Sequence, residues 1–175
     1  MHIRFLGTGA ADWNGPDERG EYRRLTSLLV NEHILIDFTA DKLDIIGVKP
    51  DTVLITHSHR DHYDPEAIRS LSPERVYAHE SWAADAKADG LPVIAARYGE
   101  VYDLGDVKAM PVPANHSTER AYETACGWLL TEGTKRFLYM TDSAWIPRGA
   151  SLLIGNEPLD AMAMDSTIGP LCADD

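Results

Sequence analysis

The chain has 175 residues, 44% of them hydrophobic, which suits one compact domain with a real core and leaves little room for a second. Lys and Arg total 16 against 28 Asp and Glu, and the resulting net charge of −12 repels phosphate backbones, so nucleic acid is not the expected partner. No apolar run approaches the roughly 20 residues of a membrane helix, no basic and then apolar leader follows Met1, and two cysteines, Cys126 and Cys172, exclude a disulfide framework. A soluble protein of the reducing cytoplasm is the expectation.

In chain order, short runs rich in β-branched and aromatic residues predict strands over 2–6, 27–30, 33–37, 52–56, 75–78, 107–112, 127–131, 136–140 and 160–164. "SLLVNEHILID" reads as a hairpin turning near Asn31 and Glu32, and "GWLLTEGTKRFLYM" as another turning at Glu132 and Gly133. The early chain is therefore expected to be an antiparallel meander. Gly7 and Gly9 read as the turn after the first strand, not as a phosphate cradle, because no helix start with a Lys follows. The polar loop from Asn14 to Arg24 is long enough to act as a flap over a site.

Asp64, Pro65 and Glu66 predict a helix with an Asp cap, a Pro in its first turn and an acidic N-terminus. Residues 80–88 are alanine-rich and stop at Gly90, which predicts a second helix. Strands alternating with helices after residue 50 imply a layered α/β protein with mixed sheets.

The strand over 52–56 runs directly into "THSHRDH", with three histidines and an aspartate in seven residues. His57 and His59, two apart, can turn toward one ion if the backbone curls after Thr56, with Asp61 and His62 on the far side of the curl. Imidazoles joined by a carboxylate are a donor set for zinc, or for iron and manganese where more oxygen donors join. His116 and Asp142 also lie just past predicted strands, so all of these side chains can collect along one sheet edge. His2 and His33 read as ordinary solvated or core-satisfied histidines.

This pattern resembles the H-x-H-x-D-H signature of the metallo-β-lactamase superfamily. "FLGTGAA" resembles the first strand and glycine turn of its phosphodiesterase-like branches, and "NHST" and "MTDSA" follow in the family's order. The resemblance implies a four-layer αββα sandwich of two mixed β-sheets flanked by helices. It assigns His57, His59 and His116 to a first metal, Asp61 and His62 to a second, and Asp142 as the carboxylate bridging both. The implied cofactor is a pair of divalent ions, zinc first, with manganese or iron as alternatives. The family pattern asks for one more His after the strand over 160–164; none follows His116, and Asp165 matches the strand end instead, so the second site is expected to be incomplete. For the same reason the chain, taken as one domain over 1–175, is expected to lack its final helix and loop.

The function implied is a metal-dependent hydrolase using a metal-bound hydroxide, with Asp61 and Asp142 orienting it and taking its proton. A small phosphodiester, cyclic ones included, is the first substrate reading. Arg23, Arg24 or Arg120 would anchor the phosphate, His79 would donate a proton, and Tyr63 would line the pocket. A lactonase or other ester or amide hydrolase of the same fold is the alternative, and a non-catalytic metal-binding protein is the alternative of another class. A second copy of the chain is a candidate partner.

Overall fold

A computed structural model describes residues 1–10, 16, 19–20 and 23–164. Most of the proposed flap, together with Asp165 and Cys172, lies outside the described residues.

The first sheet takes β1 (Ile3–Gly7), β2 (Ser27–Val30), β3 (Ile34–Ile36), β4 (Thr52–Leu54), β5 (Arg75–His79) and β6 (Val93–Ala96) in sequence order. β1, β2 and β3 form the expected antiparallel meander, and β3 to β6 run parallel. The second sheet has the order β11 (Ala161–Met164), β10 (Lys135–Met140), β9 (Cys126–Glu132), β8 (Lys108–Pro113), β7 (Tyr102–Asp103), with only the β10–β11 pair parallel. Both sheets are mixed.

Side-chain alternation along the strands builds the layers. Leu28, Val30, Ile34, Ile36, Leu54 and Tyr77 of the first sheet pack against Ala109, Cys126, Trp128, Leu130, Phe137 and Tyr139 of the second. Their sequence neighbours Leu29, Leu35, Val53 and Val76 face the opposite way, onto α1 (Pro65–Leu71) and α2 (Ala83–Ala88). On the far side, Leu129, Leu138 and Met140 pack with Ala150 of α3 (Arg148–Ile154). Helices, sheet, sheet and helix thus give the four-layer sandwich, and each fully buried Leu or Ile adds about 1.5–3 kcal/mol of hydrophobic stabilisation.

Both predicted hairpins form. Asn31 and Glu32 hold positive φ at the first turn, and Gly133 does so at the second. Gly7 belongs to β1 and is not a free turn: a Cβ there would collide with the carbonyl of Leu25, and one at Gly9 would crowd that of Arg24. The second helix begins at Ala83, three residues later than predicted, because the Ser81 hydroxyl bonds His79 and Thr124 and draws residues 80–82 into a turn. β6, β7, α3 and a 3₁₀ turn at Ala40–Lys42 were not predicted.

The arrangement of strands positions the site. β3, β4 and β5 point the same way, β8 and β10 share a direction through their antiparallel partner β9, and the chain beyond β3, β4, β8 and β10 carries the polar residues described next.

Candidate metal centre

Beyond β4 the Ile55 N–H still bonds the carbonyl of Tyr77, and after Thr56 the chain leaves the sheet. The N–H groups of His62 and Tyr63 both donate to the carbonyl of His59 at 2.9 Å, closing a tight curl. That curl lays the His62 ring 4.2 Å from the ring of His57, centroid to centroid.

Asp37, the first residue after β3, is fully buried and holds a left-handed backbone conformation at φ 52°. Its carboxylate accepts from the Thr56 N–H and hydroxyl, each at 2.8 Å, and from His62 Nδ1 at 2.9 Å. These bonds fix two tautomers in sequence. The Thr56 hydroxyl gives its proton to Asp37, so it accepts from His57 Nδ1 at 3.0 Å, and the lone pair of His57 lies on Nε2. His62 donates from Nδ1 and directs Nε2 toward Asp142. Such carboxylate and hydroxyl partners are what orient metal-ligating imidazoles.

The remaining donors come from the second sheet. His116 follows β8, and its Nε2 lies 3.1 Å from His59 Nδ1. Asp142 follows β10, also in a left-handed conformation at φ 51°. Its Oδ2 is 2.8 Å from His62 Nε2, 3.5 Å from His57 Nε2 and 3.9 Å from His116 Nε2. The Asn115 N–H donates to Ser143 Oγ at 2.9 Å, which ties these two loops together. Two aspartates held at positive φ on one centre are the kind of backbone strain that collects at functional sites.

Two donor groups result: His57, His59 and His116, and His57, His62 and Asp142, with the donor atoms of each within 4.8 Å of one another. His57 is shared between them. Asp61 belongs to neither group, though its Oδ2 is 3.4 Å from His62 Nε2. The residues fit divalent cations by a direct test. His57 Nε2 is buried and has no hydrogen-bond partner, a state that costs about 1–3 kcal/mol unless an electron-pair acceptor sits there.

Electrostatics agree. Burial and the surrounding imidazoles of His62, His116 and His59 push the His57 pKa far down, so this ring is a neutral donor. Burial opposes protonation of His62, but hydrogen bonds to Asp142, Asp37 and Asp61 overcome it and hold its pKa well above the ordinary value, so a cation bound there would take the place of the proton on Nε2. Burial also raises the carboxyl of Asp142, and the hydrogen bond and charge of His62 outweigh that and keep it ionised. The centre favours positive charge at the carboxylate side and neutral nitrogen at the other.

The structure therefore brings together His57, His59, His62, His116 and Asp142, with Asp61 alongside. The suggested substrate residues fare differently. The phenol of Tyr63 donates to Asp89 at 2.8 Å and its ring packs edge-on against Trp82, so it is a core residue and not a pocket wall. Arg24 is committed to a two-pronged pair with Asp44 at 2.7 and 2.9 Å, which leaves no free fork for a phosphate. Arg23 is exposed. His79 is buried beneath Tyr98, its Nδ1 engaged by Ser81 and Thr124 at 2.9 and 3.0 Å. Arg120 Nη1 bonds the hydroxyl of Ser58. Sequence reasoning missed Asp37, whose signal was a lone carboxylate ending an apolar strand, and Glu123, discussed below, which had none.

Residues 42–169 match the profile of the beta-lactamase superfamily domain. The chain belongs to the beta-lactamase superfamily. It is 26% identical over 139 residues to a UPF0173 metal-dependent hydrolase of Christiangramia forsetii, covering 73% of this chain and 62% of that protein. The chain spans between 44% and 62% of the length of the curated relatives it matches. Among solved structures, zinc-bound PqqB from Methylobacterium extorquens superposes with a TM-score of 0.71 at 19% identity, over 95% of this chain and 73% of that one. A diphosphatase from the PhnP family superposes with a TM-score of 0.63 at 22% identity, over 91% of this chain and 71% of that one. These superpositions share the metallo-β-lactamase fold. No described helix is long and apolar enough to cross a membrane.

Proposed function

We propose that the chain is a metal-dependent hydrolase whose centre holds two divalent cations, zinc first among them, and acts on a small phosphodiester. The observation that carries this reading is the convergence of five donors from loops of both sheets, among them a buried His57 nitrogen that no protein group satisfies. The names of the curated relatives as metal-dependent hydrolases support the reaction class, and a structural neighbour described as a diphosphatase supports the choice of a phosphate-containing substrate.

His57, His59 and His116 would hold one cation, and His62 with Asp142 the other, His57 lying between the two groups. Divalent ions in such a donor set lower the pKa of water toward neutrality and stabilise negative charge on the attacked group. The chain's own residues do the rest. Asp37 and Thr56 keep His62 and His57 in the tautomers that present Nε2. Asp142 Oδ2, within 4 Å of three imidazoles, is placed to orient the attacking water and take its proton. Asp61 would assist from the His62 side.

The test is metal content per chain, on protein purified without chelator, with hydrolysis of bis(p-nitrophenyl) phosphate followed for the unaltered chain and for His57→Ala. Nearly two ions per chain, with activity abolished in the variant, is the expected result. Metal uptake with release of a ring-opened carboxylate from a lactone and no phosphodiester cleavage would replace the substrate reading. Absence of metal uptake would overturn the function.

A further inference from the structure

Glu123 is a buried acid that the proposed chemistry does not use. Its side chain is fully shielded from solvent, yet it lies on the loop between β8 and β9, seven residues after His116. Both carboxylate oxygens grip one residue: Oε1 accepts from the Ser58 N–H at 2.7 Å and Oε2 from the Ser58 hydroxyl at 2.6 Å. Ser58 stands between His57 and His59. Arg120 closes the arrangement, with Nη1 on the Ser58 hydroxyl and 3.3 Å from Glu123 Oε2. Thr118 Oγ1 meets the carbonyls of Arg120 and Glu123 at 3.1 Å, which curls residues 118–123 and aims the carboxylate inward.

A buried carboxylate is costly unless its lone pairs are filled by charged or strong donors. Here a backbone N–H, a hydroxyl and a guanidinium fill them. The result joins two loops that each supply part of one donor group: His57 and His59 from the first sheet and His116 from the second. The other group, with His62 and Asp142, is braced separately by Asp37.

We propose that Glu123 is a positioning residue that preassembles the three-histidine group by clamping Ser58, and that it governs the affinity of this group for its cation while leaving the His62 and Asp142 group to Asp37. The inference rests on the metal-centre reading above. Outer partners of metal ligands typically change affinity by 10–100-fold when removed. Glu123→Gln keeps the shape and loses the charge that holds Arg120; Ser58→Ala removes one of the two gripped donors.

The experiment is a titration of the chelator-treated chain with cobalt(II), following ligand-field absorption, with zinc competition to set the affinities and urea unfolding of the metal-free proteins alongside. The unaltered chain, Glu123→Gln, Ser58→Ala and Tyr63→Phe, a packing variant remote in role, are compared. The expected result is about a 10–100-fold weakening of one of the two binding steps in Glu123→Gln, a smaller weakening of the same step in Ser58→Ala, and no change in Tyr63→Phe. Equal affinities in all four, whatever the urea midpoints, would overturn the clamp and leave the metal centre standing. An unaltered chain that binds no cobalt would overturn both.

Discussion

Asp37 does its work one side chain away from the centre, across the His62 ring. Three donors meet its carboxylate with no solvent present, so replacing one oxygen by an amide sets a donor against a donor. Asp37→Asn is expected to lose about 1–3 kcal/mol of metal-free stability in urea unfolding and about 10–100-fold in affinity of the His62 group for its cation. Unchanged cobalt binding in that variant would show that His62 needs no orienting partner. Asp41 offers a separate test by pH. Burial raises its carboxyl, but bonds from Lys42, Thr39 and the Leu25 N–H outweigh this and hold it below 3.8. A carboxyl lowered on folding adds stability that is complete above 3.8 and is lost as pH falls through its folded value. The metal-free chain should therefore weaken on acidification below about pH 4, and Asp41→Asn should flatten that limb of the stability curve. At this scale the candidate donors were legible because three histidines and an aspartate crowd into 57–62. Their supports were not: Asp37 meets His62 across 25 positions and Glu123 meets Ser58 across 65, and no local pattern encodes such pairs.

Among the elements, α1 has the clearest local code. Asp64 Oδ1 accepts from the N–H groups of Glu66 and Ala67, and Pro65 supplies a fixed φ at the start. Asp64→Ala should cost about 1 kcal/mol by urea denaturation; a cost near zero would mean that packing of Ile68 and Leu71 alone sets the helix. β9 carries a tighter constraint. A Cβ at Gly127 would sit 2.8 Å from the carbonyl of Tyr139 and 3.2 Å from the Met140 side chain, so Gly127→Ala should lose about 1–3 kcal/mol through overpacking. Strands with buried alternating faces and both hairpins could be read from the chain, since their periodicity and turn residues are local. β6 could not, because it sits at the sheet edge with Ile94 exposed and lacks clean alternation. α3 is seven residues long with no side-chain cap and an exposed Leu152, which leaves packing of Ala150 as its main support.

For the whole molecule, the donors divide between the two sheets, so a bound cation is also a cross-brace between them. Ligand at a hundred times its Kd adds about 2.7 kcal/mol to stability, or about 5–10 °C in Tm for a chain of this length. Removal of metal by a chelator should lower Tm by that amount, and readdition should restore it; an unchanged Tm would mean that no bound metal contributes to the fold. Against a net charge of −12, the cations proposed for this centre would be what attracts the proposed phosphodiester, so its capture should weaken most when they are withdrawn.

The two sheets are also consecutive along the chain. Every strand of the first lies before residue 97, and every strand of the second after residue 101. The chain is made from its N-terminus, so the three-histidine group lacks a member until His116 is added and the His62 group lacks one until Asp142 is added. The inner face of the first sheet likewise stays uncovered until the second is made. A cation taken up by either group would therefore close a fold whose two sheets have already met, and would not start one.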